Sequence, residues 1–319
     1  MPKLDLAALP IPAKLRARPI PDLGAYRWST AGPYLAIHLL PLGALITGTH
    51  WQDWAVCAGL YFVRMFAVTA GYHRYFSHRT FKTSRAFQFV LAFLAESAVQ
   101  KGVLFWAAHH RVHHKYTDTP WDVHSPIRAG FWHAHTMWLF TPGMDETDLS
   151  RVRDLSRFPE LRWLDRHWLV PPVLLALNIL FTLGWSGLFI AFALSTVLTW
   201  HATYTINSLA HVYGKRRFPT PDTSRNNWLL ALLTLGEGWH NNHHHHMHSA
   251  RQGFYWWEID VTYYILRAMA WVGLIWDIRE PTDEVLAEGR RHDAVASTAA
   301  VIEAGDGVIH GAVPAEPAV

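Results

Sequence analysis

Residues 33–78 read PYLAIHLLPLGALITGTHWQDWAVCAGLYFVRMFAVTAGYHRYFSH, and the pattern of charge in this stretch decides the fold class. From Pro33 to Trp51 there is no Asp, Glu, Lys or Arg, and beyond Gln52-Asp53 a second apolar run continues to His73 with Arg64 as its one charge. A membrane-crossing helix needs about 20 apolar residues. The spacing therefore predicts a helical hairpin with spans at 33–51 and 54–73 and a break at Gln52-Asp53. The stretch closes on His73 and His78, five residues apart.

The next long uncharged stretch, Trp168 to Gly214, exceeds one span, and Gly184-Trp185-Ser186-Gly187 divides it into spans at 168–184 and 187–207. Between the two hairpins lies a polar region, Arg74 to His167, dense in Arg and His. After them come the basic stretch Lys215 to Arg225 and two apolar helical segments near Trp228 to Leu235 and Val261 to Trp276. Residues 1–30 form a Pro-, Lys- and Arg-rich arm without the apolar core of a cleavable signal. Residues 31–280 then make one membrane domain, and the Ala-, Gly-, Pro- and Glu-rich tail 281–319 reads as disordered. The expected fold is an all-α integral membrane protein, with four transmembrane helices in two hairpins and a helical cap. Lys and Arg avoid both hairpin turns, so the positive-inside rule puts the cap and both termini on the cytosolic face.

Composition agrees. Of 319 residues, 50% are hydrophobic and only 17% charged, against about a quarter charged in soluble domains. The 17 tryptophans suit a large surface at headgroup depth. A net charge of +3 without a basic block excludes a nucleic-acid binder. The single cysteine, Cys57, excludes a disulfide, a CxxC redox pair and a cysteine-held iron–sulfur cluster within the chain.

Histidine is the anomaly, with 22 copies, most of them bunched. Three clusters stand out: His73 with His78; His110, His113 and His114; His240, His243 and His244. Positions i, i+3 and i+4 share a helix face, so the second and third clusters each present three imidazoles toward a common point. The five-residue step of the first fits a helix end followed by a turn. Imidazole suits iron, zinc, copper and nickel. Eight or nine nitrogens are too many for one ion and right for two that keep open positions.

The order HxxxxH, HxxHH, HxxHH around two hairpins resembles the membrane fatty acyl desaturases over roughly Tyr34 to Asp277. Gly71-Tyr72-His73-Arg74, Asn207-Ser208-Leu209-Ala210-His211 and Gly236-Glu237-Gly238-Trp239-His240-Asn241 are similar to the acyl-CoA desaturase branch, of the stearoyl-CoA or delta-9 type. That resemblance implies two non-haem irons, a ninth histidine ligand at His211, and Asn207 holding a metal-bound water. It also implies an acyl tunnel bent by Gln100, Trp106 and Thr203 and closed at its far end by Tyr61, whose other reading is ordinary helix packing. The chain departs from the family at His109 and at His245, His246 and His248, which we read as supporting or surface groups, with an alternative register pairing His109 with His113. Asp118, Asp122, Glu237 and Glu258 either orient ligand imidazoles or serve as caps and surface charge. His124, His133 and His135 lack the cluster pattern and read as structural.

The implied substrate is a long-chain saturated acyl-CoA, with an acyl carrier protein or phospholipid as other carriers, and O2 is the co-substrate. An unactivated methylene has no acidic proton and no electrophilic carbon, so side-chain acid–base or nucleophilic chemistry cannot desaturate it. Oxygen takes four electrons and the acyl chain yields two. The chain carries no dinucleotide fingerprint and no fused cytochrome b5 signature, so an external donor of the ferredoxin or cytochrome b5 type, with its reductase, is expected. Rival readings are a membrane hydroxylase or alkane or carotenoid oxygenase on the same scaffold and, more remotely, a metal transporter.

Overall fold

A computed structural model describes residues 26–142 and 146–309, with side chains to residue 298. The expected arm lies outside the described residues up to residue 25. Among the described residues helices dominate, and strands are confined to one antiparallel pair of two residues each, Lys82–Thr83 with Ile275–Trp276.

The first apolar run is not one straight helix. It forms α1 (Ala31–Leu39), a 3-10 turn at Leu40–Gly43 and α2 (Ala44–Thr47), because Pro41 has no N–H to give the ladder. The break before the next helix lies at Gly48, whose φ of 71° suits glycine, and not at Gln52-Asp53. Asp53 instead sits in the first turn of α3 (Trp51–Phe66), where its carboxylate accepts the His50 N–H at 2.8 Å and caps the helix. The helix then continues as a π-helix over Ala67–Ser77, past the expected end at His73. In the second hairpin the turn falls within the expected tetrad, at Gly184 with φ 72°. Ile179 and Leu183 before it share one apolar cluster with Leu188 and Phe192 after it, so the two arms fold back on each other.

Among the described residues two helical stretches, Trp51–Ser77 and Val170–Val212, are long and apolar enough to cross a membrane; Gly32–Thr47 is shorter. Only 44% and 22% of their most apolar windows are buried. Leu45, Ile46 and Phe181 are more than four-fifths exposed. Core helices of a soluble protein would not leave such faces bare.

Arg64 ties the two hairpins together. Its buried guanidinium donates to Thr196 Oγ1 at 2.7 Å, to the Ser195 hydroxyl, and to the Phe192 and Ser97 carbonyls, both at 3.3 Å. The segment between the two hairpins packs through α4 (Arg85–Glu96) and α5 (Val103–Tyr116) against the π-helix, with Tyr72, Phe76, Leu91 and Leu104 fully buried between them. The expectation of a disordered tail is corrected in part: Asp283–Ile309 is helical. Arg217 Nε pairs with its Asp293 at 2.9 Å, and Tyr255 donates to the Leu286 carbonyl at 2.8 Å. Such tertiary partners fix a segment whose composition alone would not.

Two buried carboxyls hold the start of α5. Glu96 accepts the Val103 N–H at 3.0 Å and Asp165 accepts the Phe105 N–H at 2.8 Å. Burial pushes the Glu96 carboxyl up to about 8, with Asp165 adding to the shift and the Val103 N–H opposing it. Glu96 therefore binds a proton more tightly folded than unfolded, so its contribution to stability is complete below the ordinary carboxyl range and is lost as pH rises through about 8. The melting temperature in detergent is expected to fall from about pH 6 to about pH 9. Glu96→Gln, which mimics the neutral acid, should flatten that slope; an equally steep slope in the variant would refute the assignment.

Candidate metal centre

The π-helix explains the five-residue step of the first cluster. The His78 N–H donates to the His73 carbonyl at 3.2 Å, an i to i+5 bond that brings both rings to one side, their centroids 4.9 Å apart. This corrects the expected helix end and turn. His110, His113 and His114 stand on α5, and His211 on the turn Leu209–Val212. His240, His243 and His244 stand on the short helix His240–His245. Asn226 Oδ1 accepts the Asn241 and Asn242 N–H groups, both at 3.0 Å, which satisfies that helix's free amides and aims its histidines inward.

The nine rings form two groups: His73, His78, His110, His114 and His243 in one, His113, His211, His240 and His244 in the other. Within each group the ring nitrogens lie within 4.8 Å of one another. Each HxxHH cluster is therefore shared between two points and does not serve a common one. His110 and His114 join the first group while His113 joins the second, and His240 and His244 join the second while His243 joins the first. At about 100° per residue, i+3 lies on one flank of the fan and the i, i+4 pair on the other.

The spacing fits metal ions. His73 Nε2 and His114 Nε2 each lie 2.9 Å from His243 Nε2, and His78 Nε2 lies 2.9 Å from His110 Nε2. In the second group His211 Nε2 lies 3.1 Å from His240 Nε2. Nitrogens at right angles, each about 2.1 Å from one ion, stand about 3 Å apart. Hydrogen bonding does not account for the pattern, since His243 Nε2 offers one lone pair or one proton and meets two rings. His244 Nε2 is buried without a hydrogen-bond partner among the described residues and belongs to the second group.

Acidic residues stand behind the rings. Glu237 accepts from His73 Nδ1. Asp122 Oδ1 lies 3.1 Å from His113 Nδ1, and Asp222 Oδ2 lies 2.9 Å from His244 Nδ1. Asp118 Oδ2 is 3.6 Å from His211 Nδ1. A carboxylate on Nδ1 keeps the proton there and turns the Nε2 lone pair inward. Burial alone would raise the Asp122 carboxyl, but His113 and His124 hold it well below the usual range. In the same way burial alone would lower His113, and Asp122 carries it above its ordinary value. Burial first, then neighbouring imidazoles, hold His78, His110, His114, His240 and His243 far below the histidine range, so they are neutral and free to ligate.

Asp222 was not singled out in the sequence, and Glu258, which was, turns away. Glu258 pairs with Arg217 Nη1 at 2.5 Å and accepts from Asn242 Nδ2 at 2.9 Å. His124 stands closer to the site than expected, since His113, Asp122 and His124 also converge. His133 bonds the Tyr26 hydroxyl at 2.7 Å, and His135 faces His201 at 3.0 Å. His109 faces the Phe105 carbonyl at 2.9 Å, so the alternative register is not formed. His245 stacks on Phe218 and meets Glu288 at 3.2 Å. Neither His246 nor His248 joins the groups.

A cavity opens on both groups, lined by His73, His110 and His240 and by Trp106, Thr203 and Asn207. Gln100 Nε2 donates to Thr203 Oγ1 at 3.0 Å, and Trp106 Nε1 donates to Gln100 Oε1 at 3.3 Å, so the three expected tunnel residues form one hydrogen-bonded set. Met65 and Val68 line the cavity from α3 and its continuation. Tyr61 stands one turn before Met65 on the same stripe and donates to the Leu233 carbonyl at 2.5 Å.

The model of one protein family, fatty acid desaturase, matches residues 49–275. Among curated relatives, an acyl-CoA C20 Delta5-desaturase of Anemone leveillei is 38% identical over 251 residues, 77% of this chain and 80% of that one. The sn-2 palmitoyl-lipid 9-desaturase of Nostoc sp. (strain 36) is 37% identical over 65% of this chain and 74% of its own. Delta-9 acyl-lipid desaturase 1 of Arabidopsis thaliana is 37% identical over 78% of this chain and 82% of its own.

Proposed function

The chain belongs to the fatty acid desaturase family, and from that premise we propose that it uses O2 to place a cis double bond, at the delta-9 position, in a saturated long-chain acyl-CoA. The observation that carries this is the cavity that joins two convergent histidine groups to the set Gln100, Trp106 and Thr203. In this reading the chain crosses the bilayer four times and keeps the histidine-bearing cap and both termini on the cytosolic face.

The nine histidines would hold two iron ions, with Asn207 reaching one of them through a water. When bound, the iron pair supplies the oxidising power drawn from O2, which side chains lack. The protein's own work is placement. Glu237, Asp122, Asp118 and Asp222 orient the rings behind the metals. Trp106 and Thr203 form the channel wall at the site, Gln100 joins them, and Tyr61 marks the channel's far end, so the bend fixes which methylenes face the metals and the end limits chain length. Two of oxygen's four electrons come from the acyl chain, and a separate ferredoxin or cytochrome b5 with its reductase delivers the other two at the cytosolic face.

Expression in a host unable to make unsaturated fatty acids tests the reading. An acyl product lighter by two hydrogens is expected. One heavier by an oxygen would sink desaturation in favour of hydroxylation. Turnover of pure acyl-CoA by the purified protein, supplied with a reducing partner, fixes the head group. Conversion of lipid-bound chains alone would move the protein to the acyl-lipid class.

A further inference from the structure

Gln100 sits on a loop under unusual constraint. The residues on either side of it, Val99 and Lys101, both have positive φ, 59° and 70°. For a β-branched valine that conformation is strained, and a strained loop persists only where its surroundings over-determine it. Here three donors from distant helical segments each hold one loop carbonyl. Arg64 Nη1 holds that of Ser97 at 3.3 Å, Trp200 Nε1 that of Ala98 at 2.9 Å, and the Tyr72 hydroxyl that of Lys101 at 2.6 Å. Glu96 closes the loop from its other end through the Val103 N–H.

The side chain of Gln100 is equally determined. The Thr203 hydroxyl spends its proton on the Thr199 carbonyl at 2.9 Å, so it can only accept from Gln100, and the Trp106 indole can only donate to it. One amide orientation satisfies both. Tyr72 further stacks on Trp106, with centroids 5.3 Å apart and planes 11° from parallel. Loop position and side-chain position therefore share one clamp.

We propose that Tyr72, Trp200 and Arg64 are positioning residues for regiospecificity: they fix the strained loop Ser97–Gly102 so that Gln100 bends the acyl chain at one place and one carbon pair faces the metals. The inference rests on the desaturase reading. A shift of about 1 Å in a positioning group is enough to spoil a reacting geometry, and neighbouring carbons of an acyl chain are separated by about that much along its axis.

The test is Tyr72→Phe, which removes the bond to Lys101 and leaves the ring on Trp106, with Trp200→Phe as an independent second variant. Both are expressed in the unsaturate-deficient host, and the double-bond position is read from fragmentation of derivatised acyl esters. Iron per purified chain is measured alongside. Each variant is expected to keep its iron and to raise the ratio of displaced isomers to the main isomer roughly five-fold, the effect of losing one hydrogen bond. A wild-type isomer ratio in both variants would overturn the proposal. So would parallel loss of iron and product in both, which would make the clamp a folding element. Absence of unsaturated product from the wild type would instead overturn the desaturase reading itself.

Discussion

Replacing His243 by alanine is expected to abolish the unsaturated product and to strip iron from the first histidine group. His243 is the ring on which that group turns, since its Nε2 meets those of His73 and His114, both at 2.9 Å. Loss of a mere supporting residue behind a metal ligand costs about 10- to 100-fold in affinity or activity, so loss of the ligand should exceed about 100-fold. The measurement is iron per chain together with product yield. His245→Ala is the control, because His245 lies two residues away on the same helix yet faces Phe218 and Glu288. If H243A kept two irons and full yield, the nine-histidine assignment would fail. An equal loss in both variants would point to damage of the helix and not to ligation.

The contrast between those two histidines marks how far the sequence could be read. The i, i+3, i+4 phasing of His110, His113 and His114 was visible in the residues alone, because it needs only the period of one helix. So were the uncharged runs and the turn at Gly184, because solvent and chain length dictate them. The division of the rings between two groups was not visible. It depends on how α5 faces the helix His240–His245 across more than a hundred residues of chain. The π-helix at Ala67–Ser77 was hidden for a similar reason. An extra residue per turn carries no compositional mark, and only the five-residue step from His73 to His78 hinted at it. Asp53 misled in the opposite direction. A charge between apolar runs reads as a break, yet a carboxylate in the first turn is also what a helix start requires.

The acidic residues behind the rings show the same limit, and they supply a second large effect. Asp222→Ala is expected to weaken iron retention about 10- to 100-fold, measured as the chelator concentration that removes half the metal. Its Oδ2 holds His244 Nδ1 at 2.9 Å, while Oδ1 accepts the Ser224 N–H and the Thr220 hydroxyl, both at 2.9 Å. These bonds fix the carboxylate before any metal arrives. Burial alone would raise its pKa, but the bond to His244 holds it below the ordinary carboxylate range, so the charge is present across the working pH. Without it His244 loses the acceptor that keeps its proton on Nδ1, and a ring that rotates or changes tautomer no longer offers Nε2 to the second group. Asp222→Asn keeps an acceptor oxygen without the charge and should fall between Asp222→Ala and the wild type. Glu258→Gln is the informative comparison, since Glu258 lies nearer to the third cluster in sequence yet serves Arg217 and Asn242. It should lower the melting temperature and leave iron retention unchanged. If Glu258→Gln lost iron as readily as Asp222→Ala, retention would be following general stability, and the role given to the carboxylate behind His244 would have to be withdrawn.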